Sequence, residues 1–278
     1  MGNYNNHPAL TQIKARYFSY SWSMFPAEFK DYYWNLPVPT PDGKVIKLRC
    51  TRYVSGLSAD RNAERGHWRT AVNKYFDANG WDPAVKSWIP TSRDGSVFSG
   101  HGLPEEISLV CHLALKSGFR TTGDIDGWAK WMCGIDCNGF VCAYLTSLGL
   151  FNQPKYYHPS YLDVTQPSQS IAEIDADSVI ITAKETKPGI YKPKENPGDE
   201  HSHIMVVDGW KVMGSSLIVT EQPQRGKDGP ETSEYFIVKV PPADAKLPLD
   251  RVYTIRKKGN TDAKYHKLVY ITRTMGSF

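Results

Sequence analysis

The strongest constraint on the fold is a change in hydrophobic periodicity close to residue 150. Before it, apolar residues recur at helical spacing, as Ile107, Val110, Cys111 and Ala114 do after Pro104. After it, apolar and β-branched residues form six short runs, each bounded by Gly, Pro, Asp or Asn. The runs are residues 178–183, 203–207, 217–220, 235–240, 251–256 and 267–272. Helices that precede strands joined by short turns predict an α+β domain, with N-terminal helices packed on a mostly antiparallel β-sheet.

Three helices are predicted from their periodicity and end signals. One includes Trp68 and stops at Gly80, a second opens at Pro104 and stops at Gly118, and a third spans residues 136–148. Other local patterns predict a hairpin over residues 36–48 and long loops over residues 184–200 and 223–234.

Composition and charge exclude several classes of protein. The 278 residues are 40% hydrophobic and 22% charged, which is typical of a globular chain and not of a disordered one. A net charge of +4 without a block of like charges argues against a nucleic-acid partner. No apolar run is long enough to span a bilayer and no signal-peptide pattern opens the chain, so we expect no membrane partner and a cytoplasmic location at synthesis. Five irregularly spaced cysteines indicate reduced thiols.

The segment Asp136-Cys137-Asn138-Gly139 carries the strongest chemical signal. No GxSxG, P-loop, GxGxxG or HExxH motif is present. A cysteine in the first turn of a helix has its thiolate stabilised by unpaired N–H groups and by the helix dipole. Cys137 is therefore a candidate nucleophile, which would sit at a partly open helix start. The alternative is that Cys137 is a small core residue, since it begins the apolar face of the helix. Asp136 would cap the N–H groups, and Gly139 would allow close approach of another backbone.

A nucleophilic thiol needs a base, and His203 directly precedes the apolar run 204–207. His201 is the competing base, although it lies in a polar loop. Glu221 follows the next strand, 18 residues after His203, at a distance that suits a strand, a turn and a return. It is the candidate for holding the imidazole, with Gln222 as the alternative.

A zinc site is the competing interpretation of the same residues. Cys133 and Cys137 have a spacing that zinc ligands use, and His201 with His203 would complete a set of four. The His-x-His pair is shorter than the spacing found in zinc fingers, so we expect neither a metal nor another cofactor.

Residues 136–141 resemble the Asp-Cys-Ser-Gly-Phe-Val nucleophile motif of NlpC/P60 peptidases, with Asn138 in place of the usual Ser. The segment from His203 resembles the histidine strand of NlpC/P60 and CHAP hydrolases. Residues 217–222 resemble the CHAP strand that ends in Ser-Glu-Gln, which implies that Glu221 orients the histidine. Residues 52–56 resemble an upstream family segment whose Tyr shapes the substrate site, which implies a substrate role for Tyr53. The resemblance implies a papain-like catalytic domain over residues 101–278, with residues 1–100 as an N-terminal extension of unknown role, or as part of the same domain.

The activity that the resemblance implies is cleavage of an amide bond in bacterial peptidoglycan, either between stem-peptide residues (an endopeptidase) or between sugar and peptide (an N-acetylmuramoyl-L-alanine amidase), with the stem peptide as substrate. Cys137, His203 and Glu221 would be catalytic, while Tyr53, Asp136 and Gln222 would lie at the substrate. Without a signal peptide, the chain would be a delivered toxin effector, whose partner would be an immunity or inhibitor protein, or a phage lysis protein. The alternatives are an intracellular protein amidase or deamidase, and an inactive papain-like binding module.

Overall fold

The structure, a computed structural model, describes residues 8–21, 24–50, 52–54, 56–88, 93–150, 165–168, 170–176, 178–195, 202–211, 216–221, 229–242 and 251–274. Its helices are α1 (Pro8–Tyr17), α2 (Pro26–Phe29), α3 (Asp31–Trp34), α4 (Ala59–Asn79), α5 (Pro83–Trp88), α6 (Arg93–Phe98), α7 (Pro104–Lys116), α8 (Ile125–Met132) and α9 (Cys137–Ser147). Its strands are β1 (Leu36–Pro39), β2 (Val45–Leu48), β3 (Thr165–Pro167), β4 (Val179–Lys187), β5 (Ile190–Pro193), β6 (Ile204–Lys211), β7 (Ser216–Glu221), β8 (Glu231–Lys239), β9 (Tyr253–Lys257) and β10 (Lys267–Thr274).

The predicted helices are confirmed, and their ends follow the predicted signals. The N-cap of α4 is Ser58, whose hydroxyl accepts a hydrogen bond from the N–H of Arg61, and the helix ends at Gly80 with a positive φ of 86°. Helix α7 has Pro104 in its first turn, and Glu106 accepts a hydrogen bond from the N–H of Leu103. No helix in the described part of the chain is long and apolar enough to cross a membrane.

All six predicted strand runs form strands, but the expected long loops are partly wrong. Strand β4 continues to Lys187 and pairs with β5 through a turn at Gly189, whose φ is +73°. Residues 184–193 therefore belong to an exposed hairpin. Their residues are mostly polar, so a search for runs of buried apolar residues does not predict these strands. In the second expected loop, residues 231–234 belong to β8, and residues 222–228 lie outside the described residues.

The sheet closes on itself. Antiparallel pairing runs from β4 to β6, β7, β8, β9 and β10 in turn, and β10 then pairs back with β4 through Val269 opposite Thr182. The result is a six-stranded barrel, with β3 and β5 paired to its strands. The α+β class and the antiparallel sheet are thus confirmed. Because the barrel is closed, one face of each strand points into the barrel and the other points outward.

Two apolar cores follow from this closure. Alternate residues of the strands, among them Ile180, Met205 and Ile255, form a cluster inside the barrel. The residues between them, such as Ile181 and Val206, join a second core with the helices. That second core extends from Leu10 to Tyr270, so residues from both sides of position 100 share it. Packing therefore favours the alternative in which residues 1–100 are part of the same domain.

Candidate functional site

The start of α9 is held by backbone packed against backbone. Asp136 is the N-cap, and its carboxylate accepts a hydrogen bond of 2.6 Å from the N–H of Gly139. The carbonyl of Gly100 accepts from the N–H of Asp136 at 3.0 Å and would lie only 1.9 Å from a Cβ atom at Gly139. Only glycine fits at position 139, which confirms the predicted close approach.

Tyr53 reaches the site on a segment that is bonded to the same loop. The N–H of Ile135 donates to the carbonyl of Arg52 at 2.9 Å, and the N–H of Val54 donates to the carbonyl of Ile135 at 3.4 Å. A Cβ at Gly134 would lie 2.1 Å from the Arg52 carbonyl oxygen. The glycine therefore lets residues 52–54 run alongside the loop that leads to Cys137.

The Cys137 sulfur receives hydrogen bonds from the backbone N–H groups of Ile204 and Asn138 and from the Tyr53 side chain. The expected partly open position is wrong, because the residue is fully buried. Burial, together with the negative charge of Asp136, raises the pKa of the thiol to about 12, although the three hydrogen bonds act in the opposite direction. Desolvation outweighs the helix start here, so Cys137 is a neutral thiol at pH 7.

His203 lies directly before β6 and is fixed at both ends. Its backbone N–H donates to the Thr182 hydroxyl at 2.7 Å, and that hydroxyl donates to the His203 carbonyl at 3.0 Å. The imidazole Nε2 lies 2.8 Å from a carboxylate oxygen of Glu221. Its Nδ1 is buried without a hydrogen-bond partner among the described residues. The arrangement leaves Nδ1 as the ring nitrogen available for proton transfer.

Glu221 is the centre of a buried polar network. Its second oxygen accepts a hydrogen bond from the Tyr235 hydroxyl at 2.8 Å and from Lys257 at 3.0 Å. Lys257 also contacts Glu231 at 2.8 Å. Burial acts to raise the Glu221 pKa, but the hydrogen bond and charge of His203, together with Lys257, hold the pKa well below its usual range. Glu221 is therefore ionised at neutral pH, in position to stabilise an imidazolium.

The structure brings the Tyr53 side chain to the Cys137 sulfur and the His203 imidazole to Glu221, and the backbone of Ile204 links the two pairs. It gives Asp136 a different setting. One Asp136 oxygen caps α9, and the other lies 3.1 Å from Nε2 of His101, whose Nδ1 contacts the Ser99 hydroxyl at 3.2 Å. Both carboxylate oxygens are thus used within the protein, so this geometry favours a positioning role. A substrate contact by Asp136 stays a prediction. Gln222 and His201 lie outside the described residues.

Sequence reasoning missed His101, Tyr235 and Lys257. His101 follows α6 in a short loop that carries no motif. Tyr235 and Lys257 are cross-strand partners on β8 and β9, at the same alternation as the barrel interior. Alternate residues of a strand share one face of the sheet. A prediction of a closed barrel would therefore have placed both side chains inside it, on the same side as Glu221.

None of the five cysteines forms a disulfide, and all five are buried. Within the described ranges, no three His, Cys, Asp or Glu side chains are grouped to hold a metal ion. Comparisons with family models, with curated proteins and with solved structures find no match to this chain. A function for this chain is therefore inferred from the geometry of the site and from its sequence motifs.

Proposed function

We propose that this chain is a papain-like cysteine hydrolase of amide bonds, of the NlpC/P60 or CHAP type. The observation that carries the proposal is the hydrogen bond from the Ile204 N–H to the Cys137 sulfur, which sets the thiol beside the backbone that bears His203. Glu221 holds the far nitrogen of His203 and leaves Nδ1 without a partner among the described residues. Nucleophile, base and orienting carboxylate are the three parts that such chemistry needs.

The chemistry follows from these contacts. As the Cys137 sulfur attacks the amide carbonyl carbon, its proton passes to Nδ1 of His203, and the carboxylate of Glu221 stabilises the imidazolium. The N–H of Cys137, at the start of α9, stabilises the oxyanion. The imidazolium then protonates the leaving amine, the C–N bond breaks and a thioester remains. Water, deprotonated by the imidazole, hydrolyses the thioester to an acid and restores the thiol.

The raised thiol pKa favours proton transfer during attack over a preformed thiolate–imidazolium pair. A neutral, buried thiol is oxidised and alkylated more slowly than an exposed thiolate. In this proposal Tyr53, whose side chain hydrogen-bonds to the sulfur, contacts the substrate at the scissile bond.

The substrate class rests on the resemblance alone, which favours an amide bond of a peptidoglycan stem peptide. Digestion of purified peptidoglycan, with products identified by mass spectrometry, tests it. Release of ammonia from protein glutamine with unchanged peptidoglycan would instead identify a protein deamidase.

Cys137→Ser tests the nucleophile, with Cys142→Ser as the matched control. Both thiols are buried in α9, but Cys142 contacts Thr146 at 3.8 Å, away from the polar network. We expect the first change to reduce turnover at least about 100-fold and the second to leave turnover within about threefold. Turnover of Cys137→Ser that falls only in proportion to its melting temperature would show that Cys137 is a structural thiol.

The burial of Cys137 favours one second candidate, an inactive papain-like binding module. Iodoacetamide labelling at increasing pH separates the two. A hydrolase site that opens to substrate should label at Cys137 before the equally buried Cys111, whereas a binding module should show no privileged thiol.

A further inference from the structure

A lysine shares the carboxylate that holds the candidate base. One oxygen of Glu221 lies 2.8 Å from Nε2 of His203. The other oxygen accepts from Lys257 at 3.0 Å and from the Tyr235 hydroxyl at 2.8 Å. Glu221 is almost completely buried, so these charges are only weakly screened by water and salt. When the His203 ring takes up a proton, it becomes a second cation on a carboxylate that already binds one.

Lys257, the last residue of β9, is itself shared between two carboxylates. Its ammonium group lies 3.0 Å from Glu221 on β7 and 2.8 Å from Glu231 on β8. Burial acts to lower the pKa of Lys257, but the two carboxylates outweigh burial and raise it. Lys257 therefore carries its positive charge at neutral pH, beside the carboxylate that binds His203.

One further cation lies near this carboxylate without bonding to it. Lys267 on β10 lies 5.9 Å from the centre of the Tyr235 ring, and the Glu221 charge acts on it. Burial lowers the pKa of its ammonium group, and the charge of Lys257 acts in the same direction. Among the described residues, Lys257 is thus the only lysine or arginine that hydrogen-bonds to Glu221.

The other described contacts of His203 are with neutral groups. Its backbone bonds to the Thr182 hydroxyl of β4, and the neutral Cys137 thiol of α9 accepts from the next backbone N–H. The Asp136 carboxylate, one residue before Cys137, is paired with His101. The charged groups that bond to the imidazole, or to its partner, are therefore those on the Glu221 side.

We propose that Lys257 is a positioning residue that lowers the proton affinity of His203 through their shared carboxylate, and that Glu231 limits this effect. A carboxylate that already binds an ammonium group stabilises an imidazolium less, because the two cations repel each other. Glu231 draws Lys257 partly away from Glu221 and so acts in the opposite direction. The catalytic consequence rests on the proposed function: with Lys257 in place, the base is free to accept the thiol proton at lower pH.

Titration of the His203 ring in the full chain tests the proposal. Nuclear magnetic resonance follows the ring Cε1–H signal, which His203→Gln assigns by its loss. Lys257→Met removes the charge but keeps an unbranched side chain, and it should raise the titration midpoint by at least about 0.5 pH unit. Glu231→Gln should lower the midpoint by about 0.3 pH unit or more.

The matched control is Lys258→Met. Lys258 is the next residue and is also paired with a glutamate of β8, Glu234, at 2.8 Å. It does not contact Glu221, so its loss should change the His203 midpoint by less than about 0.2 pH unit. Lys257→Arg keeps the positive charge, so its midpoint should also stay within about 0.2 pH unit of the native value.

Three results overturn the proposal. The midpoint in Lys257→Met moves no further than in Lys258→Met, or it falls, or Lys257→Met and Glu231→Gln shift it in the same direction. Thermal unfolding checks that each variant folds. Lys257→Gln, which keeps a hydrogen-bond donor without the charge, replaces Lys257→Met if that variant does not fold.

Turnover separates this inference from the proposed function. In an active hydrolase, the acid limb of the pH profile should move to higher pH in Lys257→Met and stay in place in Lys258→Met. The expected midpoint shifts in a chain that cleaves no amide substrate support the charge coupling and contradict the hydrolase function. Cleavage by the native chain, with neither midpoint nor acid limb moved in Lys257→Met, contradicts this inference alone.

Discussion

The loop before Cys137 is positioned mainly by backbone-to-backbone contacts, which Gly134 and Gly139 allow and any side chain there would block. The His203 imidazole is positioned by side-chain hydrogen bonds. A backbone contact has no room to adjust, so an added methyl group disrupts it. A network of side chains can lose one member and keep the others. The two halves of the site should therefore respond differently to substitution and to pH.

The largest effect is expected at Gly139. In Gly139→Ala the new Cβ would lie 1.9 Å from the Gly100 carbonyl oxygen, and backbone on both sides must shift. We expect the free energy of unfolding to fall by at least about 3 kcal/mol, measured by urea denaturation. The control is Gly66→Ala in α4, where no atom lies within 4 Å and alanine should add about 0.5–1 kcal/mol. A Gly139→Ala chain as stable as the control would show that the backbone approach is dispensable.

Acid should weaken the His203 side of the site. The Glu221 pKa is depressed in the folded chain, so its stabilisation is present above the unfolded value of about 4.3 and is lost as the pH falls below it. Between pH 7 and pH 3, the native chain should lose about 2 kcal/mol more than Glu221→Gln. Urea denaturation at several pH values measures this difference. The exposed Glu185→Gln should keep the native slope, and a parallel slope for Glu221→Gln would contradict the network.

The smallest effect is expected at Tyr235, which supplies one of three donors to Glu221. Tyr235→Phe should cost about 1 kcal/mol, because Lys257 and His203 still bind the carboxylate. Tyr253→Phe removes a longer bond of 3.3 Å to the neutral carbonyl of Ser168, and it should cost about half as much. Thermal unfolding compares the two. A larger loss for Tyr253→Phe would mean that the charged network does not stabilise the fold more than an ordinary contact.

The same contrast explains what the sequence made predictable. The stop of α4 at Gly80, the start of α7 at Pro104 and the Asp136 cap of α9 depend on residues close together in the chain, and the structure has them as expected. Cys137, His203 and Glu221 were each placed by the short pattern around them, and each lies in the expected helix or strand. The pairing of β10 with β4, by contrast, joins residues that are far apart in the chain. An apolar alternation with a period of two predicts which residues of a strand are buried, but it does not predict which strand pairs with it. The choice between an open and a buried Cys137 could not be made from the sequence for the same reason, because β6 and Tyr53 contact its sulfur from elsewhere in the chain.

Closure by β10 also sets the order in which the molecule can acquire its structure during synthesis. Among the described strands, β10 is the last to be made, and β4 and β9 cannot be joined without it. Pairings between distant segments form slowly, and a growing chain has an open sheet until the final strand arrives. Lys257 and Glu221 are 36 residues apart and meet only late in translation. A nascent chain therefore contains Cys137 long before Lys257 reaches Glu221, so a ribosome-bound fragment that ends before β9 should lack the complete polar network around His203.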